Sequence, residues 1–209
     1  MISVIVPAYN EEKNIKNVLC ILEHIDVIGE IIVVNDGSTD NTAKVASNFN
    51  VTIVNQEKNM GKGAAIKIGI QKSIGDIIVM LDADLVGLTE NHFKKLVEPI
   101  LDNNADMTIG IFSSGRKTTD WAQKIAPFLS GQRAMKKKLF MEFIEEKNID
   151  VCKYGLEVAL TKYAKSKKLR VQHVPFENMT HIMKEEKLGL IRGFYSRLKM
   201  YRDILKVWI

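Results

Sequence analysis

Short apolar runs, each followed by a polar break and then by a segment of helical period, constrain this chain more than any other feature. Residues 2–6 read as a strand, and residues 11–24 as a helix with Ile15, Val18, Leu19 and Leu22 on one face. Residues 30–34 form the next strand. Asp36-Gly-Ser-Thr-Asp-Asn-Thr42 is a turn cluster, with Asp40 placed to cap a helix over 42–49. Residues 51–54 are strand, and Asn59-Met-Gly-Lys-Gly63 breaks the chain and opens a helix through Ser73. Strand over 76–81, helix over 91–101 and strand over 107–112 follow. Repeated βα units with short polar links predict an α/β fold: a mostly parallel, doubly wound sheet covered by helices on both faces. Ligands of such sheets bind beyond the carboxyl ends of the strands. Pro7-Ala8-Tyr9-Asn10, Asp36-Gly37-Ser38 and Asp82-Ala83-Asp84 all fall there.

The second half has a different texture. Residues 117–149 read as helical, rich in Lys and Met, with interruptions near Pro127 and Gly131. A helix over 158–164 follows the Tyr154-Gly155 break, then a strand over 169–176 and the polar run Glu177-Asn-Met-Thr-His181. Residues 186–209 read as a long amphipathic helix, because Leu188, Ile191, Tyr195, Leu198, Tyr201, Leu205 and Trp208 recur every three or four positions. With no linker and no internal repeat, the 209 residues read as one domain. Its parts are a first half over 1–113, a second half over 114–185 and the tail over 186–209.

A net charge of +5 suits phosphorylated ligands or an anionic membrane surface. No basic patch interleaved with aromatics and no nucleic-acid motif is found, so nucleic acid is not an expected partner. Cys20 and Cys152 lie in apolar helical patterns and read as reduced, buried thiols, without the spacing of a zinc site or a disulfide framework. No run approaches the ~18 apolar residues of a membrane span, and the start lacks a basic leader, so the expected location is cytoplasmic.

Side chains in a strand alternate faces, so Asp82 and Asp84, at the end of the 76–81 strand, lie on one side. Two carboxylates there suit a divalent cation that completes its shell with phosphate oxygens. Gly61-Lys62-Gly63 lacks the spacing of a kinase-type phosphate loop. A helix opening at Lys62 still offers amides and a positive end to an anion. Each residue also has a plainer use: Asp36 as a turn cap, Lys62 as a surface lysine, Glu157 as an acidic first-turn residue, His181 as a structural histidine.

Val4-Ile-Val-Pro-Ala-Tyr-Asn-Glu-Glu12, Val34-Asn-Asp-Gly-Ser-Thr-Asp-Asn-Thr42, Asn59-Met-Gly-Lys-Gly63 and Asp82-Ala-Asp84 together resemble the nucleotide-sugar half of family 2-type glycosyltransferases with the GT-A fold. Tyr154-Gly155-Leu156-Glu157, followed later by His181, is similar to glucosyl-3-phosphoglycerate synthases and related small GT-A enzymes. The resemblance implies transfer of a sugar from a nucleotide sugar, most often UDP-linked, to a small polar or phosphorylated acceptor. It implies Mg2+ or Mn2+ held by Asp84 and His181, with Asp82 and Ala83 against the ribose or a water on the ion. Asp36 would accept from uracil N3–H, Pro7, Ala8 and Tyr9 would frame the base, Glu11 would reach the ribose, and Gly61 and Lys62 would meet the diphosphate. Glu157 would face the acceptor as base or positioning group, and Arg116, Gly131 and Arg133 are candidate acceptor contacts.

Other uses stay open. The tail carries Lys187, Arg192, Lys199, Arg202 and Lys206 opposite its apolar face. It suits self-packing, a subunit contact in a homodimer, or an anionic lipid surface, where the acceptor would be a polyprenyl phosphate. A nucleotidyltransferase usually carries a Gly-rich basic segment after the first strand, where this chain has Pro7-Ala-Tyr-Asn-Glu-Glu12. A non-catalytic nucleotide-sugar-binding protein is the remaining rival.

Overall fold

The computed structural model describes residues 1–113, 130–146 and 155–181; Arg116, Cys152, Tyr154 and the tail over 186–209 lie outside the described residues. The apolar runs become the middle of a seven-stranded sheet. Its strands are β1 (Ile2–Ala8), β2 (Ile28–Asn35), β3 (Thr52–Asn55), β4 (Ile77–Met80), β6 (Met107–Ser113), β7 (Arg133–Lys136) and β8 (Val171–Glu177), in the spatial order β3-β2-β1-β4-β7-β6-β8. β1 runs parallel to β2 and β4, β2 to β3, and β6 to β8. β7 is reversed against both of its neighbours, β4 and β6. A two-stranded ribbon, β5 (Leu85–Val86) with β9 (Thr180–His181), lies beyond the end of β4.

Alternation along the strands separates two cores. Val4, Val6 and Ala8 of β1 and Ile31 and Val33 of β2 face α1 (Ile15–Leu22) and α4 (Glu90–Leu101), meeting Val18, Leu19, Phe93 and Leu96. Ile5, Ile32 and Val34 face the other way, toward α3 (Lys62–Lys72), α5 (Lys137–Glu146) and α6 (Leu156–Ser166). Leu19 is wholly buried, and truncating it to Ala is expected to cost roughly 2–5 kcal/mol through lost transfer energy and a cavity. Gly69 lets α3 close on β1, since a Cβ there would lie 2.5 Å from Ile5 Cγ2. That contact fixes the helix whose first residue is Lys62.

Several expectations are corrected. The 117–149 region is not helical throughout its described part: Arg133–Lys136 is the strand β7, and only Lys137–Glu146 is helix. Arg, Ala, Met and Lys favour helices in isolation, but Ala134 and Met135 are wholly buried between Ile78, Val79 and Thr108, and sheet pairing overrides propensity. β4 stops at Met80, before the carboxylates. The face alternation nevertheless continues, because Leu81, Ala83 and Leu85 all enter the first core and leave Asp82 and Asp84 on the opposite, partly exposed side. Cys20 is a free thiol but only half-buried. Asp40 meets the Thr42 N–H from one position before the N-cap, Asn41, of the short helix α2 (Thr42–Ala46). Among the described residues no helix is long and apolar enough to cross a membrane.

Candidate active site

Parallel pairing aligns the carboxyl ends of three strands, with Ala8 opposite Asn35 and Asn35 opposite Asn55. The rim above them is held by side chains that bond backbone. Asp36 N donates to Ala8 O at 2.8 Å. Asn35 Oδ1 accepts from Ser38 N, and Asn35 Nδ2 donates to Asn55 Oδ1. Asn10 N donates to Ser38 Oγ while Asn10 Oδ1 accepts from Thr39 N. Glu12 Oε2 accepts from Asn41 N, and Asp40 Oδ2 accepts from Glu12 N. Burial works against the charge of Asp40, but the Thr42 hydroxyl and the backbone amides of Thr42 and Glu12 outweigh it and hold its carboxyl below the usual range.

Asp36 is buried, and its carboxylate reaches beyond its own turn. Its Oδ1 accepts from Gln56 Nε2 at 2.8 Å and Met60 N at 2.7 Å, and its Oδ2 from Gly61 N at 2.9 Å. It therefore ties the carboxyl end of β2 to the loop that opens α3. Gly61 sits at φ +94°, a conformation that L side chains rarely adopt. Tyr9 stands beside this rim with 45% of its surface exposed, and Pro7 and Ala8 lie beneath it, Ala8 buried. Glu11 accepts from Asn14 Nδ2 at 2.7 Å, at the start of α1.

The centre of the site is a lysine between two carboxylates. Lys62 Nζ lies 2.6 Å from Asp82 Oδ1 and 2.7 Å from Glu157 Oε1. Burial opposes the lysine charge, yet the charges of Asp82 and Glu157, and hydrogen bonds to both, outweigh it and hold its proton well above the ordinary lysine range. Glu157 lies in the first turn of α6, so it also complements that helix's positive end. Asp82 Oδ2 accepts from Gln132 Nε2 at 2.8 Å. Gly131 passes close over the pair: a Cβ there would lie 2.3 Å from Lys62 Nζ and 2.8 Å from Asp82 Oδ2.

The fold thus brings Gly61, Lys62, Asp82, Gly131 and Glu157 together, with Asp84 following Asp82 and Asp36 adjoining through Gly61. It does not bring Arg133 to an open surface. That side chain is 0% exposed; Nε donates to Ser130 O at 3.0 Å and the two terminal nitrogens to Thr161 Oγ1 at 3.1 Å. Burial pushes its pKa down to about 10 against the favourable charge of Glu157. Arg133 therefore braces β7 against α6. The backbone of His181 pairs with Leu85, which follows Asp84 directly. Among the described residues no three His, Cys, Asp or Glu side chains gather as a cage. The oxygen donors of Asp82 and Asp84 at the sheet's carboxyl edge fit a hard cation that shares its shell with a ligand's phosphates. Gln132 lies in the Ser130-Gly131-Gln132-Arg133 run read as candidate acceptor contacts, whereas nothing in the sequence singles out Gln56 or Thr161.

A family model described as glycosyl transferase family 2 matches residues 3–156. The chain is 28% identical to the UDP-N-acetylglucosamine–dolichyl-phosphate N-acetylglucosaminyltransferase of Methanococcus voltae, over 86% of each. It is 42% identical to a dolichyl-phosphate beta-glucosyltransferase of Trichomonas vaginalis, over 46% of this chain and 32% of that protein. The human dolichyl-phosphate beta-glucosyltransferase is 41% identical over 40% of this chain and 31% of its own length. The matched stretch thus spans about a third of the length of these two relatives. Among solved structures, glucosyl-3-phosphoglycerate synthase of Mycobacterium tuberculosis with Mn2+, uridine diphosphate and phosphoglyceric acid superposes with a TM-score of 0.78 at 24% identity, over all of this chain and 77% of that one. At that identity the likeness is one of fold, and the fold is GT-A.

Proposed function

This chain belongs to glycosyl transferase family 2, and from that premise we propose that it moves a sugar from a UDP-sugar to a phosphorylated acceptor in a reaction that requires Mg2+ or Mn2+. The observation that carries this reading is the Asp82–Lys62–Glu157 junction, 2.6 and 2.7 Å across its two contacts, where the nucleotide half meets the acceptor half. Asp36 takes the base through uracil N3–H, joining a carboxylate that already orders the Met60-Gly61 loop. Tyr9 stacks on the base and Glu11 reaches the ribose, with Pro7, Ala8 and Ala83 as walls. Lys62 meets the diphosphate, Asp82 orients the ribose side, and Asp84 with His181 would hold the cation. When bound, that cation supplies positive charge against the charge growing on the leaving diphosphate.

The acceptor follows from different support. The three curated relatives above all carry a dolichyl phosphate in their names, which favours a polyprenyl phosphate reached at a membrane surface. The fold likeness to an enzyme crystallised with phosphoglyceric acid supports a small phosphorylated acceptor as the second reading. The two differ in what they ask of Glu157. A phosphate oxygen is already ionised and attacks without giving up a proton, so Glu157 need only keep Lys62 in place. A hydroxyl acceptor needs Glu157 as the base.

The test is UDP release with several UDP-sugars crossed against a short-chain polyprenyl phosphate, phosphoglycerate and simple sugars, with and without Mn2+. Release that needs both Mn2+ and the polyprenyl phosphate is expected. Release with phosphoglycerate alone moves the assignment to the small acceptor, and no acceptor-dependent release under any pairing rejects the transferase reading. With the polyprenyl phosphate, Glu157→Gln is expected to lose only a few-fold in turnover. With a hydroxyl acceptor it should lose about 10²-fold or more, the size of a missing general base.

A further inference from the structure

Asp82 is held from two sides, and only one of them is a group that the nucleotide would recruit. Lys62 takes Oδ1, and as the helix-opening cation it is the group that a diphosphate draws away. Gln132 takes Oδ2 at 2.8 Å and is itself only 2% exposed. The amide is tightly set. Its backbone oxygen accepts from Gly110 N at 2.8 Å, which ties it to β6. Ser130 Oγ lies 2.5 Å from Gly110 O and 3.0 Å from Gln132 Oε1, and its single proton serves one of the two at a time. A carboxylate can only accept, so the amide NH2 must face Asp82. Gly131 makes the approach feasible, since any side chain there would collide with the Lys62–Asp82 pair.

Resting on the UDP-sugar reading, we infer that Gln132 is a positioning residue that keeps the Asp82 carboxylate in its nucleotide-binding orientation when Lys62 turns to the diphosphate. It acts through Asp82 and touches neither the nucleotide nor the acceptor. The plain alternative is a buried glutamine that merely finds a partner, and it makes a different prediction. A purely structural glutamine would weaken the fold and the site whether or not residue 82 can accept its hydrogen bond. A positioning glutamine has an effect only while Asp82 is there to be positioned.

The experiment is a double-mutant cycle on UDP affinity, read by calorimetry in saturating Mn2+, for wild type, Gln132→Met, Asp82→Leu and the double variant, with the thermal midpoint of each. Gln132→Met keeps the volume and removes the donor, and is expected to weaken UDP binding about tenfold, the size of a lost hydrogen bond to a charged group. In the Asp82→Leu background, which removes the acceptor, the same change should have less than a twofold effect, a non-additivity that marks a shared interaction. Ser130→Ala, which removes the hydroxyl beside the amide, is the second probe and should give a smaller loss that also vanishes with Asp82→Leu. It decides the matter if Gln132→Met does not fold. Wild-type affinity in both probes, or equal losses in the two backgrounds, would overturn the inference while leaving the UDP-sugar reading intact. Failure of wild type to bind UDP with Mn2+ overturns that reading, and this inference with it.

Discussion

The rim above β1 and β2 and the face presented by β7 and α6 are built by opposite means. The rim is a lattice of short local bonds: Asn10, Glu12, Asn35, Ser38, Asp40 and Thr42 satisfy each other's backbone groups across two neighbouring loops. Around Lys62, α6 and the turn before β7 meet the ends of α3 and β4 through Lys62–Glu157 and Gln132–Asp82, while Arg133 ties β7 to α6 behind them. Redundant bonding makes the rim insensitive to the loss of any one member. Charged, partly buried contacts concentrate their consequences in single residues. The difference teaches where recognition is spread out and where it hangs on one side chain.

That contrast can be broken most sharply at the carboxylate edge. Asp84→Ala should cut UDP release by about 10²-fold or more, since several kcal/mol of charge stabilisation depend on the cation it would hold. Retention of more than about a tenth of the activity would remove Asp84 from that role. Lys62→Met should come next. It leaves Asp82 and Glu157 facing each other without a cation between them, and UDP affinity in calorimetric titration should fall about 10-fold to 100-fold, as for a charge-assisted contact. Unchanged affinity would show that the junction is only structural.

Gly131→Ala sharpens the comparison without touching a charge. Its methyl group must displace the Lys62 ammonium from 2.3 Å, and because that ammonium ends a flexible chain, the fold should survive with little change in thermal midpoint. UDP affinity should drop several-fold, about 1 kcal/mol, by loss of one aligned contact. An equally large fall in stability would point to backbone damage instead.

The smallest effect belongs to the rim. Asp40→Asn should cost about 1 kcal/mol of stability, a net hydrogen bond's worth, with UDP affinity nearly unchanged. The folded carboxyl lies below 3.8, so this advantage is present above that pH and is lost as pH falls through the depressed value. Urea unfolding of wild type and variant should therefore differ at pH 5 and converge as pH falls below 3.8. A pH-independent gap would mean that the charge is irrelevant.

Much of the first half is legible because β1 and β4 are buried on both faces and the loops are spelled in Gly, Asp, Asn and Ser. Ile2, Val4, Ile5 and Val6 can do little else but lie inside a sheet. β7 was not legible: Arg133-Ala-Met-Lys136 has helical composition, and only its place between β4 and β6 makes it a strand. Arg133 reads as a candidate acceptor contact because its planar fork suits a phosphate or carboxylate. Its bonds to Ser130 O and Thr161 Oγ1 form only when α6 folds against β7, which no local pattern announces. Lys62 is a candidate in the sequence, but no spacing rule joins positions 62, 82, 132 and 157.

The clearance above Lys62 also has a meaning in evolutionary terms. A Cβ at position 131 would meet Lys62 Nζ at 2.3 Å and the Asp82 carboxylate oxygens at 2.8 and 3.0 Å, so both side chains together confine the position to glycine. A descendant of this chain that enlarged residue 131 would have to move or shorten both residue 62 and residue 82. Three positions far apart in the chain are thus expected to change together or not at all.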